Sequence, residues 1–185
     1  MESIAKFPRG FTLIELMIAV LIFAILAAIG IPSWRDTMQN NRVTGATNNI
    51  VTALNVARSE AVRRGVPVTL CGVANPDLDP ANLVCAGDTD WTTGWMVFRD
   101  NAAPAGQRTA GDTNDVVLQV WPAVGGNVIA KANVNFASYD VAGMMTVAGD
   151  KIFRVGATGT ACTKVGETRV TVVGNIRTAK ATCPT

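Results

Sequence analysis

The chain of 185 residues contains no histidine, and it has a single tyrosine. The missing imidazole excludes Ser-His-Asp triads, His-ligated zinc and the H-E-x-x-H metalloprotease pattern. No G-x-x-x-x-G-K-[ST] or G-x-G-x-x-G segment is present, so the usual phosphate-cradling loops are absent too. Charge is sparse: Lys, Arg, Asp and Glu make up 16% of the residues, with a formal net charge of +2. Nothing in that balance argues for polyanion binding by the whole chain. Cysteine is limited to Cys71, Cys85, Cys162 and Cys183. None of these forms a C-x-x-C pair, which disfavours a Cys-only zinc site. An even set in an exported domain reads instead as two disulfides. Three connectivities exist for four cysteines. Short local loops favour Cys71–Cys85 and Cys162–Cys183, each contributing roughly 3 kcal/mol by constraining the unfolded chain. The close acidic pairs Asp77/Asp79, Asp88/Asp90 and Asp112/Asp115 do not follow a calcium-loop spacing and read as solvated loop carboxylates. No metal site, cofactor or catalytic constellation emerges.

What the chain does have is a long apolar run. Residues 10–31, GFTLIELMIAVLIFAILAAIGI, contain one ionisable group, Glu15. About 20 apolar residues in a helix cross the hydrocarbon core of a bilayer. A basic leader with Lys6 and Arg9 precedes the run. No small-residue signal-peptidase site follows it. A carboxylate in that setting costs a few kcal/mol, which marks Glu15 as a functional candidate. Complementing the positive end of its helix would return only about 0.3–1 kcal/mol.

The pattern predicts one helix over residues 11–64. Its first half is apolar all round. Gly30 and Pro32 predict a loosened or bent turn rather than a stop, because proline removes a donor and crowds the preceding turn. Beyond Pro32 the pattern becomes amphipathic, with Val43, Ala46, Ile50, Leu54, Ala57 and Ala61 forming one stripe. Arg63 and Arg64 suit the negative end of the helix, and Gly65 suits its cap. Strands are predicted at residues 66–71, 94–99, 116–121 and 128–136. A hairpin is expected from 144–147 and 152–155 about Gly149-Asp150. Another is expected from 168–173 and 176–181, turning at Gly174-Asn175. Trp91, Trp95, Phe98 and Trp121 read as core. The fold class is α+β, a long N-terminal helix packed on an antiparallel sheet with its apolar half projecting.

Gly10-Phe11-Thr12-Leu13-Ile14-Glu15, the apolar run and Pro32 together resemble the N-terminus of type IV pilins and pseudopilins. Further on, residues 55–65 (NVARSEAVRRG), Val68-Thr69-Leu70-Cys71, Trp91 and Gly94-Trp95-Met96-Val97-Phe98 resemble the GspH/FimT branch of minor pilins and pseudopilins. This resemblance covers roughly the first hundred residues. It implies a leader at 1–10, a transmembrane and assembly half of the helix at 11–32, an amphipathic half at 33–65 and a β-rich domain at 66–185. It implies cleavage between Gly10 and Phe11 by a prepilin peptidase, with N-methylation of Phe11. It also implies that Glu15 meets the methylated amino group of a neighbouring subunit, and that Pro32 belongs to the assembly half.

The implied partners are the peptidase, other minor and major pilins, the inner-membrane assembly platform, and lipid before assembly. The implied place is the inner membrane with the domain in the periplasm, then the pilus. A FimT- or FimU-like minor pilin in a priming or tip complex is the leading reading, and a type II secretion GspH-like pseudopilin the alternative. Some FimT relatives in DNA uptake carry a G-R-x-R-like motif. Here its counterpart is Gly174-Asn175-Ile176-Arg177, with half of the arginine pair missing. Arg169, Arg177 and Lys180, with Lys164 upstream, are the candidate DNA-binding cations. They suit equally well a solvated edge that discourages strand pairing.

Overall fold

The computed structural model describes residues 11–101, 105–157 and 165–181, with only the backbone at Gly30, Pro32 and Ser33. The chain forms two compact units, the first ending at Met38 and the second running from Gln39. Helix α1, Leu13–Arg64, is unbroken through Gly30 and Pro32. It ends where expected: Gly65 adopts φ +65° and its N–H closes the last turn onto Ala61 O at 3.0 Å. Glycine reaches that left-handed conformation without the Cβ penalty other residues meet.

In the second unit the predicted stripe is the buried face. Val43, Ala46, Ile50, Leu54, Ala57 and Ala61 are all buried, with Ala53 and Thr47 beside them. Small residues dominate because the sheets approach closely. Gly166 lies directly under Thr47, where any Cβ would collide with the threonine side chain.

Two four-stranded antiparallel sheets take the place of one. The first contains β1 (Val68–Gly72), β2 (Trp95–Arg99), β3 (Val117–Trp121) and β5 (Phe136–Tyr139), in the order β3-β2-β1-β5. The second contains β4 (Val128–Ala132), β6 (Lys151–Ala157), β7 (Val165–Val170) and β8 (Ile176–Lys180), in the order β4-β6-β7-β8. Strand β1 is buried along its whole length and β2 nearly so. That explains their unbroken apolar sequences, since strands covered on both faces need no alternation. One face carries Val68, Leu70, Trp95 and Val97 into the main core with the helix. The other carries Cys71, Met96 and Phe98 against Val73 and Leu83 of the loop that follows β1. Cys71 and Cys85 are disulfide-bonded, closing that loop. Arg108, itself buried, donates to the carbonyls of Leu83 and Asp115 and holds the neighbouring loop against it.

Two strand expectations are corrected. Residues 128–136 are not one strand. They split at Asn133, whose amide donates to Asp150 O at 3.0 Å and whose Oδ1 accepts from Ile152 N at 2.8 Å. The chain then crosses to the other sheet as β5. Nor do residues 144–147 pair with 152–155. Tyr139 bridges Met145, while β6 pairs with β4 and β7. The final hairpin forms, but not on a two-residue turn at Gly174-Asn175. Strand β7 ends at Val170, and residues 171–175 make the loop, with Gly174 at φ +77° donating its N–H to Thr171 O at 2.8 Å, so that Val170 lies opposite Ile176 and Arg169 opposite Arg177.

Asp100 is buried behind β1, accepting from Thr69 Oγ1 at 2.6 Å and Gly106 N at 2.8 Å. Burial pushes its carboxyl above the ordinary aspartate value, and the neighbouring Asp115 charge adds to that. The folded chain therefore holds this proton more tightly than the unfolded one. Its contribution to stability is present at acid pH and declines as pH rises from the ordinary aspartate pKa through the raised one. Urea midpoints across that window should show Asp100→Asn gaining on the wild type as pH rises. A difference independent of pH would contradict this.

Candidate functional site

In the first unit the helix start is a reciprocal cap. Thr12 donates its N–H to Glu15 Oε2 at 3.2 Å and its hydroxyl to the same oxygen at 3.1 Å. Glu15 N–H donates back to Thr12 Oγ1 at 3.3 Å. This is the S/T-x-x-E capping box, which satisfies helix N–H groups that have no carbonyl partner. It sets α1 to begin at Leu13 and leaves Phe11 outside the helix, 88% exposed. The spacing Thr12-x-x-Glu15 is the sequence signal for this cap, and reading Glu15 only as an intramembrane charge passes it over.

Residues 13–29 of this unit form an apolar surface that is exposed among the described residues. Leu16, Met17, Val20, Leu21, Phe23, Leu26 and Ile29 are all exposed. The helix reaches a mean hydropathy of 2.8 over its most apolar 18 residues, none of which is buried, and is long and apolar enough to cross a membrane. Removing such an area from water is worth about 25 cal/mol per Å2. Lipid or other apolar helices are the natural surroundings for it. Gly10 lies outside the described residues, as do Cys162, Cys183 and Lys164. Pro32 sits within the continuous helix.

The second candidate region is the solvent face of the second sheet. Arg169, Arg177 and Lys180 do not act as one cluster. Arg169 pairs with Glu167 at 3.2 Å and Asp150 at 3.4 Å. Its guanidinium is raised above its usual pKa, first by the hydrogen bond it donates to Glu167. Glu167 is held below the ordinary carboxylate value, chiefly by Arg154 at 2.9 Å and also by Arg169. Arg177 is exposed on the same face but forms no ion pair among the described residues, and Lys180 lies on the opposite face of the edge strand. Arg58 lies off the apolar stripe of α1, where a helix side chain is ordinarily solvated. Instead it donates to Gly174 O at 2.9 Å and Val173 O at 3.3 Å, fastening the hairpin turn to α1. No group of three or more acidic or cysteine side chains is placed to hold a metal among the described residues.

Residues 46–175 match the family model of the type II transport protein GspH. The chain belongs to the GspH family. Residues 6–31 separately match the prokaryotic N-terminal methylation motif. A fimbrial protein of Dichelobacter nodosus is 34% identical over 120 residues, covering 65% of this chain and 68% of that protein. A fimbrial protein of Pseudomonas aeruginosa is 48% identical over 60 residues, 32% of this chain; the match spans only 38% of that relative's length. The type IV minor pilin FimU of Pseudomonas aeruginosa shares the fold, with a TM-score of 0.55 at 16% identity over 74% of this chain and 87% of that one. The chain is thus a type IV pilin or pseudopilin relative with an α+β fold, a long N-terminal helix packed on antiparallel sheets. Its family is one of structural fibre subunits rather than enzymes.

Proposed function

We propose that this GspH-family chain is a minor subunit of a type IV pilus, matured by a prepilin peptidase between Gly10 and Phe11 and methylated on Phe11. Before assembly, α1 anchors it singly in the inner membrane with the β-rich unit in the periplasm. On assembly its apolar half exchanges lipid for the helices of neighbouring pilins, and the Glu15 carboxylate meets the methylated amino group of a neighbour. The assembly platform and other minor and major pilins are its partners, in a priming or tip complex.

The observation that carries this reading is the first unit itself: the methylation motif joined to a helix whose apolar surface is wholly exposed and bears one carboxylate. A core helix of a soluble protein would have that surface covered by its own chain. A pseudopilin of type II secretion uses the same device and stands as the alternative, and the family model's description favours it. The fimbrial relatives favour the pilus. DNA binding through the final hairpin has less support. With Arg169 neutralised by Glu167 and Asp150, two of the three candidate cations remain for phosphate.

Maturation is tested at Gly10. A Gly10→Val chain expressed with a prepilin peptidase should keep its leader and stay in the membrane fraction at full mass. Wild-type chain in parallel should lose residues 1–10. Normal trimming of the valine variant would overturn this assignment.

A further inference from the structure

The sheets are guarded unequally at their edges. Beyond β4, Trp91 N–H donates to Ala130 O at 2.8 Å and Ala132 N–H to Thr89 O at 2.9 Å, so residues 89–91 seal that side. Beyond β5, Thr146 N–H donates to Ser138 O at 3.0 Å and Asp140 N–H to Met144 O at 2.8 Å, so residues 144–146 seal that one. Strand β8 is the outer strand of the second sheet, and no such cover lies on it among the described residues. Arg177, Thr178, Ala179 and Lys180 are all exposed. Strand β3, the outer strand of the first sheet, likewise has no such cover among the described residues, but of its side chains only Gln119 is exposed.

The turn fixes which backbone groups face outward. Thr171 N–H donates to Asn175 O at 3.0 Å, and Ala181 N–H to Val165 O at 3.2 Å. In an antiparallel ladder, bonded pairs alternate with unbonded ones. The pairs Arg169/Arg177 and Glu167/Ala179 therefore exchange bonds between these two ends. The N–H and C=O groups of Ile176, Thr178 and Lys180 are left pointing away from β7. Alongside them runs a groove between α1 and β8, walled by Thr44, Thr47 and Asn48 on the helix and by Thr178 and Lys180 on the strand.

The edge is also charged with one sign. Strand β8 carries Arg177 on the open face and Lys180 on the groove side, and no carboxylate. Neither cation forms an ion pair among the described residues, whereas Arg154 and Arg169 both do. A second copy of β8 laid along this edge would bring the same two cations and no acid to meet them. Like charges facing across a ladder are destabilising. An incoming strand bearing carboxylates would find a cation on either face.

We propose that β8 accepts an extended, acidic segment of a different polypeptide as a fifth strand of the second sheet. Its main chain bonds to the outward groups of Ile176, Thr178 and Lys180, and its carboxylates are read by Arg177 and Lys180. Main-chain pairing supplies affinity and the alternate side chains supply selectivity. The inference goes beyond the proposed function and does not depend on maturation at Gly10.

The test uses the full chain, isotope-labelled and held in detergent micelles. The probes are a synthetic peptide repeating Thr-Thr-Glu-Glu, which puts carboxylates on both faces of a strand, its threonine–lysine counterpart, and a short DNA duplex. The glutamate peptide should slow amide exchange at Ile176, Thr178 and Lys180 by about fivefold, the size expected for a new net hydrogen bond of about 1 kcal/mol. Arg177 and Ala179, already bonded to β7, should change far less. Thr178→Pro removes an outward donor while leaving the pairing with β7, and should abolish the protection. Should the proline variant fail to fold, the double variant Arg177→Glu, Lys180→Glu decides instead: protection should switch to the lysine peptide. Protection by DNA without protection by the glutamate peptide would overturn the proposal. So would no protection by either peptide, or protection spread equally over all five strand residues.

Discussion

Glu15→Ala chains will be cut and inserted normally but depleted from assembled fibres by more than about tenfold, because an opposite charge left buried without its partner costs about 3–5 kcal/mol. Two roles for the carboxylate have to be separated. In the free chain it accepts the Thr12 N–H and hydroxyl in the capping box. Losing such a cap costs about 1 kcal/mol and frays one turn. In the assembled fibre, by the proposed reading, it meets a neighbour's methylated amine. Glu15→Gln distinguishes the two. Glutamine serves as well as glutamate at that position of a capping box, yet it has no charge. If the ion pair governs assembly, Glu15→Gln will be depleted from sheared fibres almost as severely as Glu15→Ala. Recovery of the glutamine variant at wild-type levels would reduce Glu15 to a cap.

The second large effect is in the core. Trp91→Ala will destabilise the chain by about 3–5 kcal/mol. Trp91 is fully buried and meets Phe153 edge to face, with ring centroids 4.9 Å apart at 65°. Its ring lies in the main core between Phe153 of the second sheet and Gly72 of β1, and Ala130 and Val155 are buried in the same core. The backbone bond from Trp91 to Ala130 stays available to alanine, so the loss belongs to the ring and not to the edge it seals. Trp91→Phe should cost less than half as much, since it leaves a smaller void and removes an indole N–H that has no hydrogen-bond partner among the described residues. Denaturant unfolding read by circular dichroism measures both. A loss under about 1 kcal/mol for the alanine variant would contradict this account of the core.

The elements legible in the sequence were those set by local chemistry. The helix stripe and its end at Gly65 follow from periodicity and from a backbone conformation that glycine reaches cheaply, and the final hairpin was legible although its loop runs from Thr171 to Asn175 rather than turning on Gly174-Asn175 alone. Trp91, Trp95, Phe98 and Trp121 are core residues, as their size and setting suggest. The division into two sheets was not legible, because it depends on which distant strands pair. The run 128–136 is apolar enough for one strand. Asn133 breaks it by bonding across to Asp150 and Ile152, residues it cannot identify from its own neighbourhood. Residues 144–147 and 152–155 have hairpin spacing, yet Tyr139 claims Met145 first.

At the candidate sites the same distinction holds. The Thr12–Glu15 spacing was a readable signal. The roles of Arg58 and Arg108 were not, because an arginine that binds carbonyls across the fold has no local signature distinguishing it from a solvated one. Sequence alone also groups Arg169 with Arg177 and Lys180, and only the register with Asp150 and Glu167 shows that Arg169 is already neutralised.

The central claim is that this chain matures and enters a fibre. The most direct measurement is the mass of the N-terminal peptide of the chain recovered from fibres sheared off the cell surface. The account predicts a chain beginning at Phe11 with one added methyl group on its amine. A chain found only in the membrane with Met1 or Glu2 as its first residue would contradict it, and so would a fibre-borne chain cut anywhere other than between Gly10 and Phe11.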